Sequence, residues 1–138
     1  MSSSAKPLCV GIGGGSGSGK SWLADYIRRN LSERVVIVCQ DWYYRDNSSL
    51  SLEESRKLNF DHPKAIETTL LCRHLDTLIE GSAIEAPRYD YARHARLAQT
   101  RRIEPAPLII VDGLLVLAEE KLRRYLDLSV YIDVPADI

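Results

Sequence analysis

A chain of 138 residues has room for one domain with a real hydrophobic core, and the expected organisation is a single domain over 1–138. Hydrophobic residues make up 45% and charged residues 27%, the balance of a soluble globular protein and not of a disordered one. A formal net charge of −1 at pH 7 argues against nucleic acid or an anionic membrane as partner, so any phosphate must be gripped by local charge and backbone dipoles.

The first residues, Met1-Ser2-Ser3-Ser4-Ala5-Lys6-Pro7, lack the apolar core of a signal peptide. No apolar stretch approaches the ~18 residues that cross a bilayer. Cys9, Cys39 and Cys72 have neither pairing nor metal-site spacing, which suits a reducing compartment; the expected location is cytoplasmic.

Leu8-Cys9-Val10-Gly11-Ile12 is apolar at every position and stops at a glycine cluster, which predicts a parallel strand buried on both faces. A helix is expected from Ser18 to about Ser32, with Trp22, Leu23, Tyr26, Ile27 and Leu31 as its apolar set and Asp25, Arg28 and Arg29 on the other side. Arg34-Val35-Val36-Ile37-Val38-Cys39 predicts a second buried strand, completing a right-handed βαβ unit. From Asp41 to Pro63 the pattern loosens, with a short helix expected near Leu52–Leu58. Helical period returns from Ile66 to Ile79 and Gly81 is its stop. Ala83–Ala86 and Thr100–Glu104 flank a charged, aromatic segment, and a projecting hairpin or flap is expected over about 83–104. Leu108-Ile109-Ile110-Val111 predicts another core strand, ending at Asp112-Gly113; a short helix around Glu119–Tyr125 then leads to a strand over Leu128–Ile132. Alternating strands and helices predict a three-layer α/β fold with a mostly parallel sheet.

Gly14-Gly15-Ser16-Gly17-Ser18-Gly19-Lys20-Ser21 fits the phosphate-loop pattern G-x-x-x-x-G-K-[ST] without a mismatch. Glycines allow positive φ, so successive N–H groups can curl inward around an anion. The helix that follows adds the positive end of its dipole. Lys20 would place its ammonium on the β- and γ-phosphates, and the Ser21 hydroxyl would supply an oxygen to Mg²⁺. Asp112, closing a core strand, is the candidate for a second Mg²⁺ contact. Asp41 follows the strand next in sequence to the loop helix, expected close to it in the sheet, and would emerge at the carboxyl edge where α/β ligands bind. A carboxylate there can take the proton of an attacking hydroxyl.

Further blocks join this loop in order: Gln40-Asp41-Trp42-Tyr43-Tyr44-Arg45-Asp46, Asn59-Phe60-Asp61-His62-Pro63, Pro87-Arg88-Tyr89-Asp90-Tyr91, Asp112-Gly113-Leu114-Leu115-Val116-Leu117 and Leu126-Asp127-Leu128-Ser129-Val130-Tyr131-Ile132-Asp133. With them the chain resembles the uridine kinase branch of the uridine kinase/phosphoribulokinase family, over nearly its whole length. The resemblance implies a P-loop kinase fold and phosphoryl transfer from ATP or GTP to the 5′-hydroxyl of uridine or cytidine. It implies Asp41 as general base, with Tyr44 and Asp61 holding the nucleoside, Asp61 at the ribose hydroxyls. Tyr89 and His94 would recognise the pyrimidine from the flap, with Arg96 close by. The partners expected are a nucleoside and a nucleoside triphosphate, with assembly into a homo-oligomer left open.

Two departures stand beside the match. The family usually has Glu where this chain has Asp112. It also continues past Asp133-Val134-Pro135-Ala136-Asp137-Ile138 into an arginine-rich lid, further helices and a last strand, so 1–138 by itself is expected to bind nucleotide at best and to turn over very slowly or not at all. A related kinase for another small hydroxyl acceptor, or a nucleotide-binding module without catalysis, are the alternatives that the residues leave open.

Overall fold

Strands apolar at consecutive positions are stable only when both faces are covered, and that requirement organises the molecule. The computed structural model describes residues 6–14, 20–31, 34–46, 54, 66–90, 92–93 and 95–132, with Lys20 and Ser21 described for the backbone alone. In chain order the elements are β1 (Leu8–Gly13), α1 (Lys20–Leu31), β2 (Val35–Cys39) and a 3-10 turn (Gln40–Tyr43). Then come α2 (Thr68–Ile79), β3 (Ile84–Asp90), β4 (Ala95–Ile103), β5 (Leu108–Gly113), α3 (Glu120–Arg123) and β6 (Leu128–Tyr131). The helix expected near Leu52–Leu58 and the Asn59–Pro63 block lie outside the described residues.

Four strands form a parallel sheet in the order β2-β5-β1-β6, and β3 and β4 form a separate antiparallel hairpin. The βαβ unit expected from the sequence is present, but its two strands are not neighbours. β5 lies between β1 and β2, with Ile12 in register with Asp112 and Asp112 in register with Cys39. Long-range pairing chose this order, which leaves no trace in the local pattern of either strand.

Side chains alternate across a strand, so each apolar run feeds two cores. Val10, Ile12, Val35 and Ile110 pack with Ala24 of α1, supported by Leu23, Ile27 and Ile37. Cys9, Val38, Ile109 and Val111 face the other way, onto Leu71, Leu75 and Leu78 of α2, Ile84 and Ala86 of β3, and Leu122 of α3. Helices therefore cover both faces, and the fold is three-layer α/β as expected.

The buried face of α1 differs from the expected one. Trp22 and Tyr26 are 63% and 49% exposed and stack on each other at 5.3 Å, and Leu31 is 38% exposed. At about 100° per residue, Ala24 shares a face with Leu23 and Ile27, whereas Trp22 and Tyr26 fall on the far side. The small Ala24 lets the helix approach the sheet closely, which outweighs the larger burial that Trp22 would bring.

The hairpin covers the segment expected for the flap, with longer strands and a bulge between Pro87 and Tyr89. Its β3 side is buried through Ile84, Ala86 and Tyr89, and β3 packs against the 3-10 turn and α2. α2 ends at Glu80-Gly81, where the Gly81 N–H donates to the Leu78 carbonyl.

Candidate active site

The carboxyl ends of β1, β2 and β5 lie side by side, and each carries a residue singled out by the sequence. β1 runs into Gly14, which holds φ at 151°, a conformation that L side chains rarely adopt. Residues Gly15, Ser16, Gly17, Ser18 and Gly19 lie outside the described residues, as do the side chains of Lys20 and Ser21. The flanks of the loop are present: a core strand on one side and the first turn of α1 from Lys20 on the other. That strand–loop–helix context is the one in which backbone amides and a helix dipole can converge on an anion.

Asp112 is 7% exposed, at the end of β5. Parity with Ile110 puts its side chain on the sheet face covered by α1, the helix that follows the loop. Cys39 of β2 faces the same way. Burial pushes the Cys39 thiol up to about 12; the Asp112 carboxylate adds to this by its charge and by its hydrogen bond to the thiol, and Asp41 by charge. Cys39 is in register with Asp112, and Asp41 follows two residues after it, so both carboxylates belong to the ends of adjacent strands. Among the described residues no group of three or more His, Cys, Asp or Glu gathers into a metal site. Mg²⁺ does not need one, because it usually takes one or two protein oxygens and completes its shell with phosphates and water. A buried carboxylate beside the helix that begins at Lys20-Ser21 is a hard-oxygen setting that fits this ion.

Gln40, for which the sequence suggested no role, is the joint between these strand ends. It is 1% exposed, and its Oε1 accepts a hydrogen bond at 2.9 Å from the Leu115 N–H, in the turn after Asp112-Gly113. Gly113 lies so close to it that a Cβ there would be 2.5 Å from both Cβ and Oε1 of Gln40. The available signal was an uncharged polar residue directly after the apolar run of β2.

On the acceptor side, the 3-10 turn carries Asp41, half-buried, and continues to Tyr44, which bridges to Ile66 ahead of α2. The hairpin closes on this segment. Tyr44 and Tyr89 meet at 5.6 Å between ring centres, and the Tyr89 hydroxyl donates to the Arg45 carbonyl at 3.3 Å. Tyr44 and Tyr89 are therefore brought together, while Asp61 and His94 lie outside the described residues. Arg96 sits at the same junction, with its guanidinium already engaged. It donates to the Tyr44 carbonyl at 3.1 Å and the Tyr43 carbonyl at 3.4 Å, and pairs with Glu67 at 2.8 Å. Arg101 stacks 4.1 Å over the Trp42 ring, and Arg102 pairs with Glu104 and Glu85, so these two arginines of the hairpin have local partners.

Beneath Asp41 the turn is anchored by Tyr43, which is fully buried and shares a 2.7 Å hydrogen bond with Nδ1 of His74 on α2. Burial raises the Tyr43 phenol above its ordinary range. Burial, followed by the charges of Arg73 and Arg96, lowers the His74 imidazole from 6.5. No helix among the described residues is long and apolar enough to cross a membrane.

Comparison with known proteins adds the following. The family described as "Phosphoribulokinase / Uridine kinase family" matches residues 9–138. A protein of Clostridium perfringens named "Uridine kinase" is 42% identical over 134 residues, covering 96% of this chain and 64% of that protein. A "Uridine kinase" of Chloroflexus aurantiacus is 44% identical over 136 residues, covering 98% and 65%. This chain thus spans somewhat under two thirds of the length of these relatives. Among solved structures, one described as "a Possible Uridine Kinase" from Bacillus stearothermophilus superimposes with a TM-score of 0.72 at 22% identity, over 96% of this chain and 74% of that one. At that identity the likeness speaks for the fold.

Proposed function

Since this chain belongs to the phosphoribulokinase/uridine kinase family, we propose that it binds a nucleoside triphosphate, ATP or GTP, with Mg²⁺ and transfers the γ-phosphoryl group to the 5′-hydroxyl of uridine or cytidine, as in pyrimidine salvage. The observation that carries the reading is the complete phosphate-loop motif between a core strand and a helix, with Asp41 and Asp112 at the ends of the neighbouring strands β2 and β5. The relatives named uridine kinase support the choice of acceptor.

In this reading the loop amides of 14–19 and the α1 dipole hold the β- and γ-phosphates, and the Lys20 ammonium offsets their charge. Ser21 and Asp112 would hold Mg²⁺, which when bound neutralises charge on the transferred group. Asp41 takes the proton of the 5′-hydroxyl as that oxygen attacks. Its position is set by Tyr43 below and Gln40 beside it, and phosphoryl transfer depends mainly on such alignment. Tyr44 and Tyr89 form an aromatic wall for the nucleoside, with Asp61 at the ribose hydroxyls and His94 at the base. Arg96 contributes by holding the hairpin against Tyr43 and Tyr44.

The test is nucleoside-dependent formation of ADP or GDP, with uridine, cytidine, sugar phosphates and pantothenate compared as acceptors. Uridine and cytidine should be the preferred acceptors. Phosphorylation of another alcohol with neither nucleoside accepted would overturn the acceptor assignment and leave the nucleotide site standing.

A further inference from the structure

α2 begins at a residue whose side chain does not cap it. Its N-cap residue, Glu67, makes no side-chain bond to the helix, because its carboxylate is drawn away to Arg96 at 2.8 Å. Among the described residues none accepts a hydrogen bond from the first-turn amides of Thr68, Thr69 and Leu70. Among the described residues, three aligned donors at the positive end of a 12-residue helix are thereby without an acceptor. The second observation is Thr68 itself. It is 8% exposed, its Oγ1 has no hydrogen-bond partner, and it lines a cleft of about 370 Å³. A buried hydroxyl without a partner is costly, and few persist without a ligand or water to satisfy them.

The other walls carry charge. Arg45 and Lys121 line the cleft, together with Glu119 and Glu120, and Glu120 pairs with Arg124 at 3.5 Å. Glu120 is thus engaged by Arg124, and the Lys121 ammonium and the positive end of the α2 dipole face the cleft from two elements. The described lining residues come from the segment after the 3-10 turn, the start of α2 and the start of α3, and none of them belongs to β1 or α1. A cleft of this size falls in the range of small-molecule sites, and a bare phosphate would leave most of it empty. A neighbouring cleft of about 430 Å³ shares Thr69 and Lys121 and adds Arg73, Arg124 and Asp76.

We propose that the amino end of α2 is a second anion site, which takes the phosphate group of a phosphorylated small molecule on the Thr68 hydroxyl, the first-turn amides and Lys121. Because Arg45 follows Asp41 and Tyr44 along the same segment, occupancy would be felt beside the acceptor side of the candidate active site.

The test titrates inorganic phosphate and ribose 5-phosphate into a Lys20→Ala background, which silences the phosphate loop, and follows the backbone amide resonances of Thr69 and Leu70. Both probes should move these resonances saturably, the ester with the higher affinity. Thr68→Val keeps the shape and removes the hydroxyl, and should weaken binding about tenfold, as should Lys121→Gln. The same spectra report whether each variant is folded. No saturable shift at Thr69 and Leu70, or undiminished affinity in folded Thr68→Val, overturns the site. Ester binding no tighter than that of inorganic phosphate overturns the assignment to a phosphorylated small molecule. Failure of the kinase reading would leave this titration untouched, since it uses neither nucleotide nor turnover.

Discussion

At the scale of single residues, two predictions separate chemistry from packing. Asp41 is half-buried beside a turn held by neighbouring groups, so Asp41→Asn should leave the fold intact while removing the proton acceptor. A base acts in the transition state, so kcat should fall by about 10²–10⁴ with uridine KM little changed; steady-state kinetics on an active form of the protein measures both. An equal loss in both, or none in kcat, would remove Asp41 from that role. Gly113→Ala tests packing instead. Its Cβ would land 2.5 Å from Cβ and Oε1 of Gln40, where Cβ cannot swing aside and Oε1 is held by the Leu115 N–H. Overpacking of this kind costs about 1–3 kcal/mol, read as a lower denaturation midpoint. Wild-type stability in Gly113→Ala would mean that the Gln40 joint is looser than it looks.

At the scale of elements, Arg96 ties the hairpin to the 3-10 turn and to the start of α2. Its ion pair with Glu67 is more than two-thirds buried at both side chains, and two of its further bonds go to backbone carbonyls. Arg96→Ala should cost about 2 kcal/mol and, more tellingly, speed hydrogen exchange in β3 and β4 while the parallel sheet keeps its protection. Uniform acceleration across the molecule would argue against a local strut. The turn is held from below by Tyr43 and His74, which gives a pH signature. His74 has a folded pKa below its unfolded value of 6.5, so the folded state binds fewer protons than the unfolded one in the window between the two. The contribution is complete above pH 6.5 and is lost as pH falls through the folded pKa. Urea denaturation from pH 7.5 down to 5 should show falling stability, and His74→Gln should flatten that slope. An unchanged slope in the variant would assign the pH dependence to other groups.

For the whole molecule, the central expectation is that folding and nucleotide binding are linked through the loop between β1 and α1. Mg²⁺–nucleotide at a hundred times its dissociation constant adds about 2.7 kcal/mol. In a chain of this length that corresponds to a rise of about 10 °C in melting temperature. Lys20→Ala should melt like the parent without nucleotide and lose most of that rise. An undiminished rise in the variant would sink the assignment of the phosphate loop.

What the sequence determined by itself is what depends on near neighbours. The three consecutive apolar runs are β-rich and buried because no polar face interrupts them; the helical period of 66–79 and the stop at Gly81 follow from local geometry. The glycine loop is legible for the same reason, since its chemistry is contained in eight adjacent residues. The tertiary structure alone decided which strand ends meet. β5 enters between β1 and β2, which brings Asp112 beside Cys39 and sets Gln40 against Leu115, 75 positions away. It also decided which face of α1 is buried, because close approach at Ala24 depends on the sheet beneath it. Arg96, 52 positions from Tyr44, is spent on that residue's carbonyl, and Glu67 is turned away from its own helix. Such pairings arise from packing between distant segments, and local composition carries no record of them.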